Sequence, residues 1–363
     1  MKMKFNSLVV AVAATLAAGS ALAQSTVSVQ GLVDVSAGSI KYSGDTGSKL
    51  SVNSGGMTTS WLGFKGVEDI GNGLKVDFAL TSFLQVDNGQ SGRFYGDTLF
   101  SRDANVGISG DFGKVSLGRN LSPNFLPVVI FNPFGDSFNF SPLVLHTWVS
   151  SGNFGARTWA NSSAGDSGWS NEIIYTTPNF NGLTANIHYQ AGEQAGKTGV
   201  NNVGANVLYF NGPLALTAYY HQVQVANPTP GAIVDATSTP INYASINYQK
   251  SYFVGGSYDL SVAKLFATYS SSKNDSSTGA AMTDKTYSLG AKVPAAGGNV
   301  LLAFADTKRS GSLVGADLSR DTFSAGYDYD LSKRTDVYAV AMSDKINTAD
   351  RASSVAVGIR HKF

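Results

Sequence analysis

The sequence predicts an all-β fold, a sixteen-stranded antiparallel transmembrane β-barrel. Three observations support this prediction. Apolar and polar residues alternate with period two along much of the chain, tight turns alternate with longer polar loops, and no stretch after the N-terminus reaches 18 consecutive apolar residues. Because a membrane-spanning helix needs about 20 apolar residues, helical spans are excluded.

The alternation is clearest in three segments, at residues 27–36, 75–81 and 355–363. Successive side chains of a strand point to opposite faces, so each of these segments has one apolar face and one polar or small face. Such strands occur in soluble β-sandwiches as well. The connections between the strands therefore have to decide between a sandwich and a membrane barrel.

The connections are of two alternating kinds. Seven are tight and rich in turn residues: Glu68–Gly73, Gly110–Gly113, Asn179–Gly182, Asn211–Pro213, Asp259–Lys264, Pro294–Gly298 and Asp330–Thr335. Eight longer polar segments lie near residues 36–58, 85–98, 120–168, 191–201, 224–240, 271–284, 306–320 and 343–353. Fifteen connections join sixteen strands, and short turns on one side with long loops on the other are typical of a transmembrane barrel.

The strand count depends on residues 241–258, where a turn at Gln249-Lys250 would give eighteen strands instead. The apolar positions of this stretch, from Ala244 to Val254, keep one phase, which favours a single strand. An even count places both chain termini on the side of the short turns.

The first 23 residues have the features of a secretory signal peptide. Lys2 and Lys4 precede an apolar run from Leu8 to Ala18, and Ala21-Leu22-Ala23 is a small-x-small cleavage site. We therefore predict cleavage after Ala23 and a barrel over residues 24–363. Without Lys2 and Lys4, 24 basic side chains stand against 25 acidic ones, a balance that argues against a nucleic-acid partner.

The sequence contains no catalytic or metal-binding pattern. There is no cysteine, and the four histidines lack metal-ligand spacing: His146, His188, His221 and His361. There is no GxSxG nucleophile motif, and the glycines at 107, 110 and 113 belong to a turn because no helix follows. We predict a protein that is not an enzyme and holds no cofactor or metal.

Five motifs carry a resemblance to a known family. They are Leu62–Leu74 (LGFKGVEDIGNGL), Phe100–Arg119 (FSRDANVGISGDFGKVSLGR), Tyr175–Gly182 (YTTPNFNG), Tyr327–Thr335 (YDYDLSKRT) and Val357–Phe363 (VGIRHKF). In this order and spacing the chain resembles the general porins of Gram-negative bacteria, most closely the β-proteobacterial branch.

The resemblance implies passive diffusion of small hydrophilic solutes and ions through the outer membrane. It also implies a homotrimer of barrels in contact with outer-membrane lipid and lipopolysaccharide, and a third long loop folded into the lumen. The terminal Phe363 looks like the signal that the barrel-assembly machinery reads. The third long loop, about 120–168, is the longest of the chain and too aromatic for simple disorder.

In related porins, basic residues of the barrel wall face acidic groups of the inserted loop. By this resemblance Arg102 and Arg119 are wall arginines, and Asp136 and Arg157 are charges of the third loop. Lys65, Lys75 and Asp77 are in the lumen-facing phase by alternation alone. Arg102 has the phase of lipid-facing residues, so we expect a bulge or a strand end to turn it inward.

The sequence departs from the family at two positions where a basic residue is usual. Trp61 occupies the first, and Gly168-Trp169 occupy the second. We therefore expect a weak anion preference and a pore narrowed by Trp61.

Other readings stay open. Trp61, Trp148 and Trp159 would suit a sugar-specific channel of the same fold, and an organic-acid channel belongs to this alternative. A lipase-like barrel enzyme and a β-sandwich adhesin are the readings from other classes. The first lacks a serine-histidine stretch, and the second would not need the terminal Phe363 pattern.

Overall fold

The computed structural model describes residues 25–94, 96–149, 154, 158–159, 162–163, 166–196, 199–225, 227, 241 and 245–363. The predicted leader at residues 1–23 lies outside the described residues. Sixteen antiparallel strands form a closed barrel. They are β1 (Thr26–Ile40), β2 (in two segments, Lys49–Ser54 and Trp61–Gly71), β3 (Leu74–Gln85), β4 (Asp103–Gly110), β5 (Gly113–Leu121), β6 (Gly168–Thr176), β7 (Leu183–Ala191), β8 (Asn201–Asn211), β9 (Leu214–Val223), β10 (Ile246–Asp259), β11 (Lys264–Ser276), β12 (Ala281–Ala295), β13 (Gly298–Ser310), β14 (Leu318–Asp330), β15 (Thr335–Ile346) and β16 (Ala352–Lys362).

Two short helices lie between β5 and β6: α1 (Phe125–Ile130) and α2 (Pro142–Trp148). Three two-residue strands complete the described elements, at Gln90–Ser91, Thr158–Trp159 and Ser162–Ser163. In the described part of the chain, no helix has the length and apolarity that crossing a membrane would require.

The barrel closes where the first strand meets the last. β1 pairs with β16 from Leu32 opposite Lys362 to Ser39 opposite Val355. Gly31 and Phe363 exchange two main-chain hydrogen bonds, of 3.1 and 3.0 Å. This pairing of the first strand with the last closes the sheet on itself, which a sheet in lipid requires. The prediction of sixteen strands is confirmed, and β10 runs through Gln249-Lys250 without a turn.

The two faces of the barrel wall follow the alternation. On β13, Leu302 is exposed on the outer face, whereas Ala303 and Thr307 are buried on the inner face. β4 shows the same division, with Val106 and Ile108 outside and Asp103 inside. The outer face meets lipid and the inner face meets water, so the average of the two gives a mean hydropathy near zero, −0.02.

All seven predicted tight turns join neighbouring strands, but four of the predicted long loops are shorter than expected. The connections near 36–58, 271–284, 306–320 and 343–353 are reduced to residues 41–48, 277–280, 311–317 and 347–351, because the flanking strands continue into these polar segments. Beyond the lipid both faces of a strand meet water, so a run of polar residues does not mark the end of the strand. Asp284 and Arg309, for example, stay in strand register and pair across β12 and β13 on the inner face.

β2 is interrupted at residues 55–60, and this break gives the wall an inward ledge. Ser54 and Trp61 end and begin the two segments, and both segments pair with β1. The fully buried Asp34 of β1 holds the break, since its carboxylate accepts hydrogen bonds from the main-chain N–H groups of Met57 and Thr58, each at 2.8 Å. The main-chain groups that β2 leaves unpaired are thus satisfied by a side chain.

Candidate functional site

The third long loop folds into the barrel and packs against its inner wall. The side chains of Phe131, Phe134 and Phe140 are fully buried there. α1 and α2 contribute Val128 and Leu143 to a cluster with Tyr219 and Phe253 of the wall. The aromatic side chains of the loop noted in the sequence therefore form a hydrophobic core between the loop and the barrel wall.

Three glycines of the wall make room for this loop. A Cβ atom on Gly204 would lie 2.5 Å from Cγ of Pro123, and one on Gly290 would lie 2.5 Å from Cδ of Pro133. At Gly326 the added atom would meet the Phe134 ring at 3.2 Å. Each glycine thus forms a socket for one loop side chain. We call Gly204, Gly290 and Gly326 the socket glycines.

The tip of the loop is fixed to the break in β2. The Ser137 hydroxyl donates to the carbonyl of Gly56 at 2.7 Å, and the Asn139 amide donates to the carbonyl of Gly55 at 2.8 Å. The break is itself held by Asp34, so the loop tip, the ledge and β1 form one hydrogen-bonded unit. This unit sets the position of Asp136, which comes directly before Ser137 in the chain.

Asp136 carries the negative charge of the loop tip. Burial raises the pKa of its carboxyl group, while a hydrogen bond from Thr58 and the positive charges of Arg360 and Arg102 act in the opposite direction. Arg360 also pairs with Asp336 at 3.1 Å, so that part of its charge is already compensated. Arg102 is the other wall charge near the loop tip, and it forms an ion pair with Asp103 at the start of β4.

Arg102 precedes β4 and lies over the indole ring of Trp61, with 4.2 Å between its guanidinium carbon and the ring centre. Its Nη1 donates to the carboxylate of the neighbouring Asp103 at 2.7 Å. The Lys65 ammonium lies 5.7 Å from the same ring. Since Arg102 lies outside the ladder of β4, the phase of Val106 and Ile108 does not apply to it, and the strand end turns it inward.

Below this group the lumen widens into a cavity of about 600 Å³. Its charged lining residues are Lys65, Lys75, Lys114, Asp77 and Asp103. Lys114 and Asp77 form an ion pair across β5 and β3, on the inner face. The remaining lining is mostly small and amide side chains, which suit a water-filled passage.

A profile of the Gram-negative porin family matches residues 9–349 of the chain. The chain belongs to the Gram-negative porin family. It is 30% identical to outer membrane porin protein 32 of Delftia acidovorans over 98% of this chain and 99% of that protein. Among solved structures, the anion-selective porin from Comamonas acidovorans is 26% identical and superposes with a TM-score of 0.73, covering 94% of this chain and all of that one. OmpT of Vibrio cholerae in a trimer form, at 16% identity and a TM-score of 0.65, shares the fold.

These findings confirm the resemblance, the β-proteobacterial branch and the outer-membrane location. The protein is a porin and not an enzyme.

One residue of the porin that the sequence placed at the constriction, Arg119, is buried away from the open lumen. Arg119 is 6% exposed, and its guanidinium binds the carbonyl of Ser101 at 2.6 Å and the carboxylate of Asp166 at 3.2 Å. It joins strand ends and does not face the open lumen, because the glycine before it, Gly118, has a positive φ of 123° and interrupts the regular alternation. Arg157 lies outside the described residues.

Asp166 shows how tightly Arg119 is held. Burial raises the pKa of this carboxyl group, but the charges of Arg93 and Arg119 outweigh burial and keep the pKa below its ordinary value. Arg93 binds Asp166 at 2.7 Å, so one carboxylate joins two arginines at the end of the third loop. This network fixes the loop where it returns to β6.

The tryptophans have different environments. Trp169 is fully buried, so it does not narrow the passage, whereas Trp61 is partly exposed beside Arg102. Trp148 stacks on Phe138 within the third loop at 5.6 Å. The side chain of Trp159 lies outside the described residues.

Sequence reasoning missed three charged residues near the passage, Asp103, Lys114 and Arg360. The inward orientation of Lys114 and Arg360 could have been predicted from alternation, because they have the same phase as the inward-facing Ser116 and Ala356. Asp103 gave the same signal, since its phase is opposite to that of Val106 and Ile108. Phe363 lies at the barrel closure, and its role as an assembly signal stays a prediction.

Proposed function

We propose that this porin is a channel for passive diffusion of small hydrophilic solutes and ions, with a weak preference for anions. The observation that carries the proposal is the placement of Arg102, which is stacked on Trp61, near enough to Asp136 of the inserted loop for its positive charge to act on that carboxyl group. A passage of this kind selects by width and by the charge of its wall.

The balance of charges supports a weak preference. Arg102, Lys65, Lys75 and Lys114 stand against Asp77, Asp103 and Asp136. Arg360 adds no positive charge to this balance, because Asp336 and Asp328 both lie within ion-pair distance of it. An excess of one positive charge attracts anions without excluding cations.

The zero-current potential of the refolded protein in a planar bilayer tests this function. Across a salt gradient we expect stable conductance steps and a small potential whose sign corresponds to anion preference. A large anion preference or a cation preference would contradict the weak-anion proposal. A folded, heat-modifiable barrel without conductance would contradict the channel itself. Block by added sugars would instead favour a sugar-specific channel.

We further propose a homotrimer that is surrounded by outer-membrane lipid and lipopolysaccharide and is inserted by the barrel-assembly machinery. The trimer is supported by the family and by the trimer form of a protein with the same fold. An unheated sample that migrates at three times the chain mass, and at the chain mass after heating, is the expected result. The exported form should begin at Gln24, which N-terminal sequencing of outer-membrane fractions tests.

A further inference from the structure

Four consecutive strands carry lysines on their outer face. They are Lys250 on β10, Lys273 on β11, Lys285 on β12 and Lys308 on β13, and all four are exposed. Lys250 lies directly opposite Lys273 in the strand register, and Lys285 lies directly opposite Lys308. We call these four residues the lysine patch. They lie toward the loop at 277–280, at the end of the barrel away from the tight turns.

The charges of the lysine patch are only partly compensated. Thr283 lies opposite Lys273, so Lys285 is its diagonal neighbour at about 7–8 Å. Asp275 pairs with Lys273 at 2.9 Å, and Asp306 lies two residues before Lys308 on the same face. Within the described ranges, no ion pair reaches Lys250, Lys285 or Lys308. Like charges in direct register destabilise a sheet, so an external anion would relieve the repulsion.

Below the lysines the same strands carry exposed tyrosines. Tyr252, Tyr269 and Tyr287 point outward, and the rings of Tyr252 and Tyr269 are 6.4 Å apart. Aromatic side chains form girdles at the membrane interfaces of such barrels. The lysine patch therefore lies at the level of lipid head groups, on the side of the longer loops.

Deeper in the lipid band these strands form an apolar groove of about 520 Å³. The groove exists because Gly256 and Ala267 recede between the larger side chains of Tyr258, Leu265 and Leu289. Gly256 lies six residues from Lys250, about 20 Å along the strand. At a strand tilt of about 45° this corresponds to a depth of about 14 Å, close to one leaflet of a hydrocarbon core about 30 Å thick.

We propose that this outer face binds a phosphorylated, acylated glycolipid of the outer leaflet, a lipid of the lipid A class. The lysine patch holds the phosphates, for which lysine ammonium groups are suitable partners, and the groove at Gly256 receives an acyl chain. This assignment deepens the lipid contact included in the proposed function. It is independent of conduction, because all of its residues point away from the lumen.

Native mass spectrometry of the refolded porin tests the site with diphosphoryl lipid A added in a neutral detergent. The variant Lys285→Ser/Lys308→Ser should bind lipid A roughly 30-fold more weakly, since each lysine at an anionic lipid surface contributes about fivefold in affinity. The matched control Lys333→Ser/Lys362→Ser removes two lysines from the tight-turn end and should retain as much as the unmodified porin. All variants should keep the unmodified conductance, which shows that each barrel is folded.

Two further probes separate the parts of the site. Lipid A without phosphates should bind the unmodified porin no better than it binds the double variant. Gly256→Leu fills the groove and should lower retention of diphosphoryl lipid A while the lysines are intact. Equal retention by the double variant and the unmodified porin would overturn the proposal. Equal loss in the control would do so as well, as would full displacement of lipid A by millimolar inorganic phosphate.

Discussion

The guanidinium of Arg102 lies on the face of the Trp61 ring at 4.2 Å, so the residue that stands in place of a family arginine orients another arginine. A cation over an aromatic face gains about 0.5–1 kcal/mol at an exposed site. Asp103 fixes the other side of the group through a hydrogen bond from Nη1. Trp61 thus adds no charge of its own but restricts where the charge of Arg102 is held.

Removing the Arg102 charge should abolish the anion preference. In Arg102→Gln the positive excess around the passage disappears, so we expect the zero-current potential to fall to zero or to change sign. Trp61→Ala keeps the charge of Arg102 but removes the ring that holds the Arg102 side chain in place. This variant should raise single-channel conductance with a smaller change in the zero-current potential. Both quantities are measured in planar bilayers across a salt gradient.

Trp61→Phe is the matched control, since it keeps an aromatic face beneath Arg102 and should leave the potential nearly unchanged. Trp61→Arg restores the charge that the family usually has and should strengthen anion preference. A potential that is the same in Arg102→Gln and in the unmodified porin would show that Arg102 does not contribute to selectivity.

Selectivity should depend on pH through Asp136. Because burial raises the pKa of this carboxyl group, it becomes protonated at a higher pH than an ordinary aspartate, whose pKa is about 3.9. Arginine stays charged throughout this range, so loss of the negative charge of Asp136 increases the positive excess around the passage. As the pH falls from neutral toward the ordinary range of an aspartate, we expect the anion preference to increase.

Asp136→Asn provides the comparison. This variant should already have the stronger anion preference at neutral pH and should change less over the same interval. Parallel pH profiles for the variant and the unmodified porin would assign the titration to another group. The potential should be measured at constant ionic strength, because salt screens wall charges.

The barrel was predictable from the sequence because each wall strand faces lipid on one side and water on the other. Apolar and polar residues therefore alternate with period two. The same pattern could not locate strand ends beyond the lipid. There both faces are polar, and Asp284 and Arg309 remain paired in a segment that composition describes as loop. Charges on regular strands, such as Lys65 and Asp77, could be placed by phase alone.

The irregular positions could not be placed in this way. Arg119 follows a glycine of positive φ, and Arg102 precedes its strand, so counting from either strand gives the wrong face. The break in β2 depends on Asp34, which is distant from it in sequence and looks like any lumen-facing aspartate. Contacts between distant segments leave no periodic signal.

The socket glycines should control the position of the third loop. Gly290→Ala places a methyl group 2.5 Å from Cδ of Pro133, where no van der Waals contact is possible, so the loop has to shift. Gly204→Ala does the same against Pro123. We expect altered single-channel conductance and more current noise in both variants, because the loop packs against the inner wall of the barrel.

Gly256→Ala is the control for these variants, since it lies in the same sheet but on the outer face. Its added methyl would meet the flexible end of Leu216 at 3.2 Å, which can move aside. Its conductance should equal that of the unmodified porin. Unchanged conductance and noise in Gly204→Ala and Gly290→Ala would mean that the loop is not positioned by these sockets.

Stability should depend strongly on Asp34. Its buried carboxylate accepts hydrogen bonds from the main chain of Met57 and Thr58 and from the Tyr338 hydroxyl. Asp34→Ala leaves these donors without an acceptor. Each buried donor without a hydrogen bond lowers the stability of the folded barrel by about 1–3 kcal/mol. The midpoint of the heat-induced shift in electrophoretic mobility should fall, and current noise should rise because the ledge under the loop tip is released.

Tyr338→Phe removes one donor and keeps the acceptor for both amides, so its midpoint should fall less, by the equivalent of about 0.5–1.5 kcal/mol. If Tyr338→Phe destabilises the barrel as much as Asp34→Ala does, the break in β2 is held by the tyrosine and not by the hydrogen bonds to the main chain.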